Sequence, residues 1–138
     1  MTTLYHAAAM VNGLVVGTGN KVEDFGVGFY TKYGDGGVDI SPIADLMKSE
    51  VKEAACELGI LLEIIDAPPT DGLWDDGRTD EDQIGCTYDE LEWAMTFGGD
   101  KRKLNKRQKE VLKIFYSFQH RNNHKMVPIP ICPNTKDA

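Results

Sequence analysis

Cysteine is scarce in this chain and spaced for no structural use. Cys56, Cys86 and Cys132 lie far apart and form no Cys-x-x-Cys pair, so neither a disulfide framework nor a zinc site is indicated and ordinary reduced thiols are expected. Long apolar runs are missing too: none approaches the roughly 20 residues that span a bilayer. The N-terminal string Met1-Thr2-Thr3-Leu4-Tyr5-His6 lacks the basic segment and cleavage pattern of a signal peptide. The expectation is a soluble, cytoplasmic protein with no membrane partner. Basic residues are few in the first hundred positions, 5 against 20 acidic ones, and the whole chain carries a net charge of -7. That balance argues against broad nucleic-acid binding. No internal repeat and no Gly-x-Ser-x-Gly occurs, and no cysteine has a histidine close by in sequence, so nothing points to an activated nucleophile.

What is present is enough for one domain. The chain has 138 residues, 41% of them hydrophobic, and a domain of that length buries roughly 68% of its unfolded surface. Positive charge is concentrated in 101–125, with 9 basic residues and 1 acidic. This stretch suits phosphates or an acidic neighbouring surface. It is mostly lysine, and Leu104, Val111, Leu112 and Phe115 form an apolar stripe, which fits an amphipathic surface helix better than a platform for stacking bases.

The pattern predicts a short alanine-rich helix over Leu4 to Val11, with Thr2 or Thr3 as its cap and Gly13 as its end. Leu14-Val15-Val16 reads as a buried strand, stopped by Gly17. Ligands in parallel α/β units gather beyond the carboxyl ends of strands, and Thr18 to Glu23 occupy such an end. A helix is expected from Pro42 to Leu58, with Ser41 as N-cap and Gly59 closing it. A short helical segment is expected over Ile60 to Ile65, ended by Pro68-Pro69. From Thr70 to Gln83 the chain reads as a long acidic loop with Trp74 as its apolar anchor. Thr87-Tyr88-Asp89-Glu90 opens a further helix as a capping box, and Asn105 begins the last one. A three-layer α/β domain rarely starts with one helix and one strand. The expectation is therefore that a partner or a longer polypeptide completes the sheet.

Several residues have two readings from the residues alone. Glu23 sits in a polar turn after a strand end, beside Lys21 and Asp24. It is either a solvated surface glutamate or one carboxylate of a magnesium site that substrate phosphates complete. Lys32, Asp35 and Asp39 bracket Gly34, Gly36 and Gly37, a tight surface turn or a place of close backbone approach to a ligand. Lys48 on its helix and Thr70 after Pro68-Pro69 are unremarkable in isolation. His124 reads as a tail histidine. The acidic run 71–82 does not have the ligand spacing of an EF-hand.

Taken together, Gly17-Thr18-Gly19-Asn20-Lys21-Val22-Glu23 and Tyr30-Thr31-Lys32-Tyr33-Gly34-Asp35-Gly36-Gly37-Val38-Asp39 resemble ammonia-dependent NAD synthetase, a ligase of the ATP-pyrophosphatase group. The resemblance runs from about Leu14 to Lys125. It implies part of a three-layer α/β/α adenine-nucleotide-hydrolase-like fold with a mostly parallel sheet, helix-rich in this portion. It implies ATP-dependent amidation of deamido-NAD to NAD with free ammonia, through an adenylated intermediate, in a homodimer. By position it assigns Thr18, Lys48 and Thr70 to ATP, Glu23 to Mg²⁺, and Lys32, Asp39, His124 and Lys125 to deamido-NAD.

The segment 71–83 resembles the family's mobile active-site loop, although Gln83 replaces a carboxylate there. Met126 stands where an arginine is common. The Ser-Gly-Gly-x-Asp-Ser loop that holds the ATP pyrophosphate in that family does not occur in residues 1–138. The chain is therefore expected to be the C-terminal portion of such a domain, inactive alone. The competing reading is a noncatalytic interaction module that docks through 101–125.

Overall fold

The computed structural model describes residues 1–134. Its first helix, α1, spans Thr2–Met10, where three consecutive alanines favour the helical backbone. Neither threonine caps it, because the helix already begins at Thr2. It ends when Asn12 takes a left-handed conformation and the Gly13 N–H donates back to the Ala8 carbonyl at 2.8 Å. The next segment is extended and pairs with the chain around Asp39. The Asp39 N–H donates to Val15 O (2.9 Å) and the Gly17 N–H to Ile40 O (2.7 Å), giving an isolated parallel bridge between Val16 and Ile40. The expected parallel sheet is not seen among the described residues beyond this bridge. Among the described residues no further extended segment lies alongside to continue the ladder, and Leu14 and Val16 leave their apolar side chains open.

Asn20 starts the next element. Its side-chain oxygen accepts the N–H groups of Val22 (3.0 Å) and Glu23 (3.2 Å), and Val22–Val27 winds as a π-helix that ends at the left-handed Gly28. Helix α2 covers Lys48–Glu57, six residues shorter at its start than expected. The cause is a long-range bond: the Leu46 carbonyl accepts the Lys21 N–H at 2.8 Å, and residues 41–46 fold as turns instead. Gly59, left-handed, closes α2 as expected. Helix α3 is Leu62–Ile65.

The end of the expected acidic loop, from Asp80 on, is helical. Helix α4, Asp80–Ile84, is opened by a reciprocal cap in which Asp82 N–H donates to the Thr79 hydroxyl and Thr79 N–H to the Asp82 carboxylate. Helix α5, Tyr88–Thr96, and helix α6, Lys106–Met126, begin with the same device, using Thr87 with Glu90 and Asn105 with Gln108.

The core lies where the Val22–Val27 segment, α5 and α6 meet. Val22, Val27, Leu91 and Val111 are essentially inaccessible, with Leu112, Phe115, Ile84 and Ala94 around them. Arg107 joins α6 to α5 by a two-pronged bond to Glu90 (2.7 and 2.6 Å) and a third bond to Gly85 O (3.1 Å). By contrast α1, α2 and α3 bury no residue completely.

Gly28 is a tight joint between the π-helical segment and α6. Its φ is +61°, and a Cβ there would lie 2.7 Å from both Asn122 Cβ and Met126 Cε. The Asn122 amide meanwhile donates to Val27 O at 2.8 Å and keeps α6 close. Gly28→Ala is expected to destabilise the fold by about 1–3 kcal/mol through left-handed strain and forced separation of α6. Urea unfolding measures this, and an unchanged midpoint would contradict the packing described here.

Candidate active site

Glu23 is the second residue of the π-helical segment, and the Asn20 cap fixes its backbone. Its side chain is four-fifths buried, and its carboxylate collects donors from two other elements. Lys48, the first residue of α2, donates its ammonium to Glu23 Oε1 at 3.1 Å, and the Tyr88 hydroxyl, from the first residue of α5, donates to the same oxygen at 2.7 Å. The Asn20 N–H approaches Oε2 at 3.4 Å. Lys48 also lies 4.9 Å above the centre of the Tyr88 ring, so the ring face shares the positive charge. The Tyr88 hydroxyl touches a second carboxylate, Asp80 Oδ2, at 3.3 Å. Burial and the charges of Glu23 and Asp80 push Tyr88 above the ordinary phenol range, and the hydroxyl is a donor at any physiological pH. Burial and the Glu23 charge likewise raise Asp80. Its other oxygen, Oδ1, is buried without a hydrogen-bond partner.

The second group of sequence-predicted residues meets around the end of α6. Lys125 turns inward and donates to the carbonyls of Gly28 (2.9 Å) and Tyr30 (2.6 Å), with burial lowering its pKa. Lys32 donates to the main-chain oxygen of His124 at 2.5 Å. The His124 ring itself is exposed. Lys125 borders several clefts, two of them large. One, of about 630 Å³, runs past Tyr5, Tyr30, Lys32 and Tyr33. The other, of about 740 Å³, lies between Trp74 of the acidic segment and Phe118 and Arg121 of α6. Asp39 is committed elsewhere, accepting the Val15 N–H (2.8 Å) and the Tyr5 hydroxyl (3.3 Å), which pins the parallel bridge.

Thr18 and Thr70 are exposed, and no hydrogen bond joins either to the Glu23 group. The Thr70 hydroxyl accepts the Gly72 N–H and donates to Arg78 O, so it braces the root of the acidic segment. Gln83 donates its amide to Asp71 Oδ2 at 3.1 Å, a contact that a carboxylate at 83 would turn into repulsion. Met126 packs over Gly28.

Tyr88 and Asp80 are the site residues that the sequence does not single out. Tyr88 appears there only as the opening of a capped helix, and Asp80 only as one acid among many. The available signal is weak: an aromatic hydroxyl at the first position of an amphipathic helix faces back across the core.

The donors suit a hard cation held jointly with a ligand. Glu23 and the unpartnered Asp80 Oδ1 offer carboxylate oxygens, and among the described residues no group of three or more His, Cys, Asp or Glu is placed to hold a metal ion by itself. Magnesium characteristically takes one or two carboxylates plus substrate phosphates.

Asp24 lies beside this site, its carboxylate folded onto Gly19, where a Cβ would meet it at 2.3 Å. Burial first, then Glu23 and Asp35, raises its pKa to about 6. The folded state therefore holds this proton more tightly than the unfolded state. Its stabilising effect is complete below about pH 4 and is lost as the pH rises through 6. Relative to Asp24→Asn, the unmodified chain is expected to lose about 1 kcal/mol of stability between pH 4 and pH 8, allowing for water at the half-exposed carboxylate. Denaturant unfolding at the two pH values measures it, and an equal difference at both would show that the group does not titrate in this way.

A family profile described as NAD synthase matches residues 1–128. The NH(3)-dependent NAD(+) synthetase of Methanococcoides burtonii is 50% identical over 95 residues, covering 69% of this chain and 35% of that protein. The enzyme of the same name from Thermoplasma volcanium is 40% identical over 135 residues, 97% of this chain and 54% of its own length. Among solved structures, NMN synthetase from Francisella tularensis aligns with a TM-score of 0.81 at 34% identity, covering 96% of this chain and 52% of that chain. An NH3-dependent NAD synthetase from Campylobacter jejuni, in complex with the nitrate ion, aligns at 0.66 and 27%, over 96% and 51%. The chain spans about half the length of the curated relatives it matches.

Proposed function

Because the chain belongs to the NAD synthase family, we propose that it forms part of an ATP-dependent ligase that amidates deamido-NAD with ammonia. The observation that carries this reading is the meeting of Lys48 and Glu23 at 3.1 Å, from elements 25 residues apart in sequence. A cation for phosphate and a carboxylate for its counter-ion stand at one point. In this reading the substrate carboxylate attacks the α-phosphorus of ATP and pyrophosphate leaves. Ammonia then attacks the acyl-adenylate carbonyl, AMP leaves with the C–O electron pair, and the nitrogen loses a proton. Thr18, Lys48 and Thr70 hold ATP. Lys32, Asp39, His124 and Lys125 hold the acceptor. Glu23 holds Mg²⁺, which when bound neutralises phosphate oxygens. The chemistry asks for charge neutralisation and alignment rather than a protein nucleophile.

The surrounding fold in this reading is the three-layer α/β/α arrangement, with the Val16–Ile40 bridge belonging to its parallel sheet. The assembly is a cytoplasmic homodimer. A second reading of the acceptor has support in the closer structural likeness to an NMN synthetase: the mononucleotide rather than the dinucleotide is amidated. A docking module built on 101–125 has less support. Arg107 is spent on Glu90, and Lys101 and Arg121 lie over aromatic rings.

The test is amide formation from the nicotinate dinucleotide and, separately, the mononucleotide, with ATP, magnesium and ammonia. Residues 1–138 alone are expected to give no turnover, since they carry no Ser-Gly-Gly-x-Asp-Ser loop. In the full-length enzyme Glu23→Gln is expected to cost about 2–5 kcal/mol of transition-state stabilisation with little loss of fold stability. Pyrophosphate release equal to that of the unmodified enzyme at limiting magnesium would remove Glu23 from the metal.

The segment 71–83 is proposed as the lid. Leu73 and Trp74 are exposed, and the acidic side chains of 71–79 bury little to offset an ordering cost of about 1–2 kcal/mol per residue. Closure keeps water from the acyl-adenylate. Hydrogen exchange over 71–79 is expected to be fast without nucleotide and slowed with both substrates. Slow exchange in the free enzyme would rule out a lid.

A further inference from the structure

We propose that Tyr88 is a positioning residue that couples the carboxylate of Glu23 to the base of the acidic segment 71–79. The inference rests on the reading of Glu23 as the residue that serves magnesium and nucleotide. A buried phenol has one proton to give. At 2.7 Å the larger share goes to Glu23 Oε1, and at 3.3 Å the smaller share goes to Asp80 Oδ2. Glu23 is thereby held in one orientation with its lone pairs unequally used. Asp80 is left under-served: one oxygen has the weak share and the other, Oδ1, is buried with none.

Buried carboxylate oxygens rarely stay unpartnered, so Asp80 is the end of the chain that gains most when a cation or a donor arrives at Glu23. Asp80 is also the first residue of α4, and its N–H donates to Pro69 O at 2.9 Å. The adjoining Thr79 and Thr70 brace both ends of the acidic segment through Asp82 and Arg78. A second tie, Tyr88 N–H to Glu81 Oε1 at 2.8 Å, fastens α4 to α5. A change at Glu23 therefore reaches the hinge of the segment through a single hydroxyl. The ring beneath Lys48 adds the third charged group to the same residue.

The test uses the full-length enzyme with Tyr88→Phe, and with Asp80→Ala as the variant that cuts the coupling from the other side. With magnesium and ATP, the unmodified enzyme is expected to show slowed amide exchange over both 20–24 and 79–85. In both variants the effect is expected to persist at 20–24 and to vanish at 79–85. In Tyr88→Phe the magnesium concentration for half-maximal rate is expected to rise about tenfold, with less change in kcat, as for loss of a bond to a charged group. Undiminished protection at 79–85 in the variants would overturn the proposal. If magnesium and ATP protect nothing in the unmodified enzyme, the ligase reading fails. The coupling is then judged in the ligand-free protein: faster exchange at both segments in Tyr88→Phe supports it, and unchanged exchange overturns it.

Discussion

The carboxylate of Glu23 is the point on which the arrangement depends. A largely buried carboxylate is costly unless it is paired and hydrogen-bonded, and Glu23 meets that condition only by recruiting groups from separate elements. Lys48 comes from the start of α2 and Tyr88 from the start of α5, while the Asn20 cap sets the backbone that carries the carboxylate. Helix α2, which buries no residue completely, is thus held by charge against the Val22–Val27 segment and α5, which are already packed together in the core. The stable part of the molecule, the packing of Val22, Val27, Leu91 and Val111, lies directly beneath. It supplies a rigid wall from which Glu23 and Tyr88 project.

Around this point the molecule is unevenly built. The α5–α6 side is close-packed and clamped by Arg107, whereas α1, α2 and α3 leave Leu4, Met10, Leu58 and Leu61 open. The two lysines of the second cluster make opposite use of their charge. Lys125 is drawn inward to two carbonyls and has its pKa lowered by burial, and Lys32 reaches across to the main chain of His124. Their common effect is to pin the end of α6 to the glycine-rich turn, with Gly28 as the joint that permits so close an approach. The clefts that border Lys125 owe their shape to that contact.

What could be read from sequence was local. Thr87 with Glu90, Asn105 at the head of α6 and Gly59 after α2 act within four residues of themselves, and the helices they delimit appear where expected. Helix α2 starts later than its sequence pattern indicates because a bond from Lys21, more than twenty residues away, takes the Leu46 carbonyl out of any helix. Helix α4 hides in an acidic string because its signal, Thr79 with Asp82, is short and surrounded by other acids. Glu23 and Lys48 could be named through the family resemblance, but their contact could not. Neither could the part of Tyr88, whose partners lie 65 and 8 residues away. The parallel sheet remains an inference from likeness, since among the described residues only the Val16–Ile40 bridge has formed.

The central claim is that Lys48, Glu23 and Tyr88 form the nucleotide-facing centre. The most direct measurement is a crystal structure of the full-length enzyme with ATP and magnesium bound. The account predicts that the Lys48 ammonium has left Glu23 for a phosphate oxygen, that Glu23 faces the metal, and that the Tyr88 hydroxyl still holds Glu23. Nucleotide bound elsewhere, with the Lys48–Glu23 pair intact, would contradict it.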